Sequence, residues 1–112
     1  MRIAIPVVDG RLAAHFGHCD EFALFDVDEQ NATVTAVDRV DSPPHQPGLL
    51  PQWLHEHGAE VIIAGGMGRR AQDLFARGGI EVIVGATADD PESIVRAFVA
   101  GELATGDNIC DH

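Results

Sequence analysis

The side chains best suited to metal chemistry fall in two short stretches. Residues 15–20 read His15-Phe16-Gly17-His18-Cys19-Asp20, which places two imidazoles, a thiol and a carboxylate within six positions. The final residues, Cys110-Asp111-His112, bring the same three ligand types again, and the two stretches hold both cysteines of the chain. Thiolate with imidazole suits zinc, copper, iron or a metal–sulfide cluster. Neither stretch closes a coordination sphere alone, so the sequence predicts that His15, His18 and Cys19 start a site that others complete. The candidates are His45, Cys110 and His112. A polar surface turn and a loose polar tail would have the same composition, so spacing alone leaves both readings open.

A second pattern carries anion chemistry. Gly66-Met67-Gly68-Arg69-Arg70-Ala71 fits the G-x-G-x-x-A form, after an apolar run and before a helix. It is a weak dinucleotide signal. It belongs to the fourth strand, the next strand ends in Gly85 with no acid for a ribose hydroxyl, and the chain is too short for both halves of a dinucleotide fold. A narrower reading remains, in which Gly65, Gly66, Met67 and Gly68 offer backbone amides at a helix N-terminus and Arg69 and Arg70 add charge. The alternative is that these glycines only allow strand and helix to pack closely. Gly68 is the position expected to need a positive φ or a close backbone approach.

The elements that would hold these residues follow from periodicity. Ile3, Ile5 and Val7 share one face of a first strand, in which Pro6 is an awkward member because it lacks a ladder donor. Asp9-Gly10 signals a turn, and residues 11–20 read as a connection. Residues 22–28 and 33–40 alternate as an antiparallel pair. The proline-rich stretch 41–48, which contains His45, is an irregular loop. Leu50, Trp53, Leu54 and His57 form one helical stripe ending at Gly58, on which His55 and His57 read as surface or packing residues. Buried strands are expected at 61–64 and 80–84, a helix after Gly68 ending at Gly78-Gly79, and a last helix capped by Asp90 with Pro91 at its first position. The order β-β-β-α-β-α-β-α predicts an α/β domain with a mixed five-stranded sheet and helices packed on it. Residues 1–104 form the domain and 105–112 a polar tail.

Composition narrows the function classes. The chain has 112 residues and a net charge of −11, which repels nucleic-acid phosphates and anionic membrane surfaces. No apolar run is long enough to span a bilayer, and no signal-peptide core follows Arg2. A cytoplasmic protein with reduced thiols is the expectation. A nuclease site built on Asp9, Asp26 and Asp38 is disfavoured by the missing basic surface. There is no serine nucleophile elbow, and Cys19 lacks an evident orienting group for hydrolysis.

With these residues in view, the chain resembles the dinitrogenase iron–molybdenum cofactor biosynthesis proteins, small cofactor carriers that share a module with NifX, NafY and the NifB C-terminal region. The resemblance runs through Ile3-Ala4-Ile5-Pro6-Val7, His15-Phe16-Gly17-His18-Cys19 and Val61-Ile62-Ile63-Ala64-Gly65-Gly66-Met67-Gly68-Arg69-Arg70-Ala71, and it continues in Gly79-Ile80-Glu81-Val82. It implies a ribonuclease-H-like sheet without nuclease activity, in which Pro6 is a family feature. It also implies a non-enzymatic carrier or scaffold for an iron–sulfur or molybdenum-containing metal–sulfide cluster or its precursor, working with cofactor-assembly proteins. The alternatives are a small redox or hydrolytic enzyme using Cys19, or a regulatory module that binds only a protein partner.

Overall fold

The computed structural model describes residues 1–14, 19–43, 49–87, 90–103 and 105. Six strands form one mixed sheet: β1 (Arg2–Val8), β2 (Arg11–Leu12), β3 (Glu21–Asp28), β4 (Thr33–Asp41), β5 (Val61–Ile63) and β6 (Glu81–Ile83). Three helices lie against it: α1 (Leu49–Glu56), α2 (Arg69–Arg77) and α3 (Pro91–Val99). The order across the sheet is β4-β3-β1-β5-β6, and β2 pairs with β1. β3 is antiparallel to β1 and β4, whereas β5 is parallel to β1 and β6 is parallel to β5.

The expected five strands become six because the turn after β1 is tighter than a connection. Asp9 and Gly10 have φ of 53° and 79°, the left-handed pair of a two-residue hairpin. The chain therefore folds straight back, and Leu12 pairs with Val7 and Arg11 with Val8.

The same ladder explains Pro6. Met1 and Val27 exchange backbone hydrogen bonds of 3.2 and 2.8 Å, so the odd-numbered residues of β1 bond β3 and the even-numbered ones turn the other way. On that other edge the β5 pairing stops at Ala4 with Ile62. The missing Pro6 N–H falls beyond it, while the Pro6 carbonyl accepts from Ala13 N–H at 2.9 Å. Thus β2 occupies the edge of β1 that β5 has just vacated.

Alternation along the strands builds two cores. Ile3, Ile5, Val7, Ala23, Phe25, Val27, Val61 and Ile63 pack under Ile94 and Val95 of α3. Ala4, Phe22, Leu24 and Ile62 pack on the opposite face with Leu54 of α1 and Phe75 of α2. Helix ends follow local chemistry. Gly58 and Gly79, both at φ 81°, terminate α1 and α2, and Ala59 N–H reaches Leu54 O while Ile80 N–H reaches Phe75 O at 3.0 Å. Asp90 caps α3 by accepting from Ser93 N–H at 3.1 Å.

Candidate functional site

Strand directions bring one set of connections together. β1, β4, β5 and β6 share a direction, so their carboxyl ends lie at one end of the sheet with the start of β3. Beyond β1 the chain proceeds to β3 and β4 on one side, and beyond β5 it proceeds to β6 on the other. The gap between β1 and β5 is therefore a topological switch point, where open α/β sheets hold ligands.

Two segments meet there. Gly65 follows β5, and a methyl group built on it would lie 3.3 Å from Ala13 O, 3.4 Å from Ala14 O and 3.6 Å from a Leu12 methyl. The placement of β2 causes this, since it sets Leu12 to Ala14 directly above the end of β5. The position is locked from the other side, where Gly85 N–H donates to Gly65 O at 2.9 Å and Ala86 N–H to Ala64 O at 3.2 Å. The chain after α3 returns to the same end, where Thr105 forms a bridge with Ala86.

Cys19 also stands at this end. Asp20 N–H donates to Val7 O and Ser42 N–H to Asp20 O, each at 3.0 Å, which ties the start of β3 to β1 and to the exit from β4. The Cys19 thiol is half-buried against the core beneath α1 and α2, 4.0 Å from Ser42 Oγ. Burial pushes its pKa up, and the Ser42 hydroxyl offsets this only in part.

The other predicted ligands, His15, His18, His45, Cys110 and His112, lie outside the described residues. Among the described residues, no group of three or more His, Cys, Asp or Glu side chains comes together. In the 65–70 segment Gly66 and Met67 are buried, whereas Arg69 and Arg70 are exposed at the first turn of α2. The Met67 side chain is part of the core, and its carbonyl accepts the Gln72 side-chain amide at 2.9 Å.

The structure corrects the expectation for Gly68. Its φ is −65°, and an added Cβ meets nothing within 4 Å. Gly68 is the N-cap of α2 and provides no side-chain cap. The close approach belongs to Gly65.

The remaining candidates have structural roles. The His57 ring packs tilted against Trp53, 4.2 Å between ring centroids, and its Nδ1 lies 2.8 Å from Trp53 O. Asp26 holds Arg2 through two contacts of 2.8 and 3.1 Å, and Arg2 also donates to His57 O at 2.9 Å. Asp26 is thus committed to an ion pair, and Asp9 to a turn.

The dinitrogenase iron-molybdenum cofactor family matches residues 1–101. The chain belongs to this family. The segment 61–71 that carries the family resemblance is the β5–α2 junction, with Gly65 at its contact point. Among solved structures, PH0822 is 32% identical, with 94% of each chain covered and a TM-score of 0.86. The apo form of the orange protein from Desulfovibrio gigas is 26% identical, covering 96% of this chain and 93% of that one, with a TM-score of 0.71. An uncharacterized Methanocaldococcus jannaschii protein, MJ0580, is 28% identical over 108 residues, 92% of this chain and 89% of its own.

Sequence reasoning missed Leu12, Ala13 and Ala14 as packing partners of the glycine segment, Ser42 beside Cys19, and the Thr105 bridge. Only the first had a local signal, the Asp9-Gly10 turn.

Proposed function

We infer that this family member carries an iron–sulfur or molybdenum-containing metal–sulfide cluster, or its precursor, during metallocofactor assembly, and catalyses no reaction of its own. The observation that carries this reading is the contact of Gly65 with Ala13 and Ala14. It sets the α2 N-terminus beside the segment that enters residues 15–18, at the sheet end that also holds Cys19.

Such a cargo is soft and anionic. Cys19 supplies a thiolate, and His15 and His18 closely precede it in sequence as imidazole ligands. His45 belongs to the connection that begins beside Cys19 at Ser42. Arg69, Arg70 and the dipole of α2 offset the cargo's negative charge in a chain of net charge −11. The tail joins by reach. Thr105 is anchored at Ala86, and the five residues from there to Cys110 span up to about 17 Å. Cys19 stands at the start of β3, three strand spacings from β6 or about 14 Å, so Cys110 and His112 are within range of it.

Burial of the Cys19 thiol favours this reading over a Cys-dependent enzyme. A thiol held protonated is a weak nucleophile, whereas a coordinating metal displaces its proton. The strand order, antiparallel on one side of β1 and parallel on the other, supports the ribonuclease-H-like assignment. No helix among the described residues is long and apolar enough to cross a membrane. We place the protein in the cytoplasm, where thiols stay reduced. A relative named the orange protein and known in an apo form fits a coloured, removable cargo.

The test is anaerobic reconstitution, with ferrous iron and sulfide in one series and tetrathiomolybdate in another, followed by visible absorption and elemental analysis. Stoichiometric metal with sulfide-to-metal charge-transfer bands is expected, and Cys19→Ser should lose both. A protein that stays colourless and metal-free in both series refutes the carrier. Full loading of Cys19→Ser refutes the ligand assignment.

A further inference from the structure

β4 ends the sheet, and no strand among the described residues pairs with its outer edge. The Met1–Val27 pair makes the odd-numbered residues of β3 bond β1, so Phe22, Leu24 and Asp26 bond β4 through their partners Val40, Asp38 and Ala36. Val37, Arg39 and Asp41 therefore turn their N–H and C=O groups outward, beyond the last strand. Native edges are blunted by proline, bulges or charged side chains, lysine above all. β4 has no proline or lysine; its charges are Asp38, Arg39 and Asp41, and its one irregularity lies between the partners of Asp26 and Val27, which leaves Ala36 to Asp41 in regular register with outward backbone groups.

The edge also has a seat for a side chain. Val37 is 47% exposed and is the one large apolar side chain so exposed among the described residues. It borders a depression of about 250 Å3 lined by Phe25, Arg39, Asp90, Pro91 and Glu92. Asp41, Asp90 and Glu92 are exposed around it; the cations beside them are already paired, Arg39 with Glu21 at 3.8 Å and Arg96 with Glu92 at 3.3 Å, and the chain's net charge is −11.

We propose that the β4 edge docks an extended, basic segment of a partner protein by strand addition. One apolar side chain of that segment enters the depression beside Val37, and lysine or arginine side chains face Asp90 and Glu92. Main-chain pairing supplies affinity in this mode, and alternate side chains supply selectivity. A second copy of this chain fits less well, because it brings the same acidic surface and another net charge of −11.

The probe is a capped peptide of alternating lysine and valine, compared with its glutamate–valine counterpart, titrated into the full chain by fluorescence anisotropy. The lysine peptide should bind, more weakly as salt rises, and the glutamate peptide should not. Val37→Pro removes an outward N–H that the native ladder does not use, so the fold should survive while binding falls about tenfold. Glu92→Gln should weaken binding without touching the edge. Amide exchange on the unmutated protein provides a readout independent of any variant's folding. Peptide binding should slow exchange at Val37, Arg39 and Asp41 and leave Ala36, Asp38 and Val40 unchanged. Equal binding of both peptides, undiminished binding by a folded Val37→Pro, or unchanged exchange at the three outward amides overturns the proposal. So does a dimer of the free protein that Val37→Pro dissociates, since the edge would then belong to a second copy.

Discussion

Gly65→Ala tests whether the contact between the β5–α2 junction and the segment after β2 is as tight as its geometry indicates. The added methyl group would meet two carbonyl oxygens at 3.3 and 3.4 Å, both backbone atoms of Ala13 and Ala14. Backbone cannot rotate away as a side chain can. Ala13 is held by its hydrogen bond to Pro6, and Gly65 by that from Gly85. Relief therefore needs a shift of a few tenths of an ångström in one segment. Overpacking of this kind costs about 1–3 kcal/mol, and replacing glycine recovers about 0.4–1 kcal/mol by restricting the unfolded chain. The net loss is about 1 kcal/mol, or about 4 °C in Tm for a domain of this size. Gly68→Ser has the opposite sign. It meets no atom within 4 Å at an ordinary φ, it restricts the unfolded chain, and it gives α2 the hydroxyl cap it lacks. The gain is about 0.5–1 kcal/mol. Thermal melts of the two variants beside the parent measure both signs, and amide exchange at Gly85 and Ala13 should quicken in Gly65→Ala alone. A Gly65→Ala protein as stable as its parent, or a Gly68→Ser protein several degrees less stable, would refute the reasoning.

Asp26 is held below the usual carboxylate range by its hydrogen bonds from Arg2. A depressed folded pKa contributes stability that is complete above the ordinary value of about 3.9 and is lost as pH falls through the folded value. Because the Asp26 side chain is 40% exposed, screening limits the contribution to about 1 kcal/mol or less; Asp26→Asn should remove that much at neutral pH and flatten this acid-range slope in urea titrations. Deleting residues 107–112 leaves the Thr105 bridge in place, so the melting temperature should hold while affinity for the reconstituted cluster falls about tenfold or more. Unchanged affinity would remove Cys110 and His112 from the ligand set and leave the site to His15, His18, Cys19 and His45.

Much of the architecture is visible in local pattern because its causes are local. Ile3, Ile5 and Val7 alternate because one face of β1 meets α3, and Leu50, Trp53 and Leu54 recur at helical spacing because one side of α1 meets the sheet. Helix ends are legible for the same reason, since Gly58, Gly79 and Asp90 act within one turn. β2 is not legible in this way. A two-residue strand has no period, and only the turn before it reveals that the chain reverses. Pro6 looks like a fault until the ladder alternation is known, because its missing donor matters only on the edge it faces.

The site depends on those non-local facts. Gly65 and Gly68 are equivalent as letters, and nothing within the segment distinguishes the one that touches backbone. That is decided by β2, which lies on the β5-facing edge of β1 because Asp9 and Gly10 adopt positive φ. The hairpin lowers the carbonyls of Ala13 and Ala14 onto the residue that follows β5, and only glycine fits there without displacement. The same logic applies to the tail. Its ligand types are plain in sequence, yet its relevance rests on one bridge between Thr105 and Ala86, made after the chain has passed through β6 and α3. The hairpin and the bridge join the sheet at the same end from opposite sides of the β1–β5 gap, so residues about 90 positions apart in sequence come within reach of a common cargo.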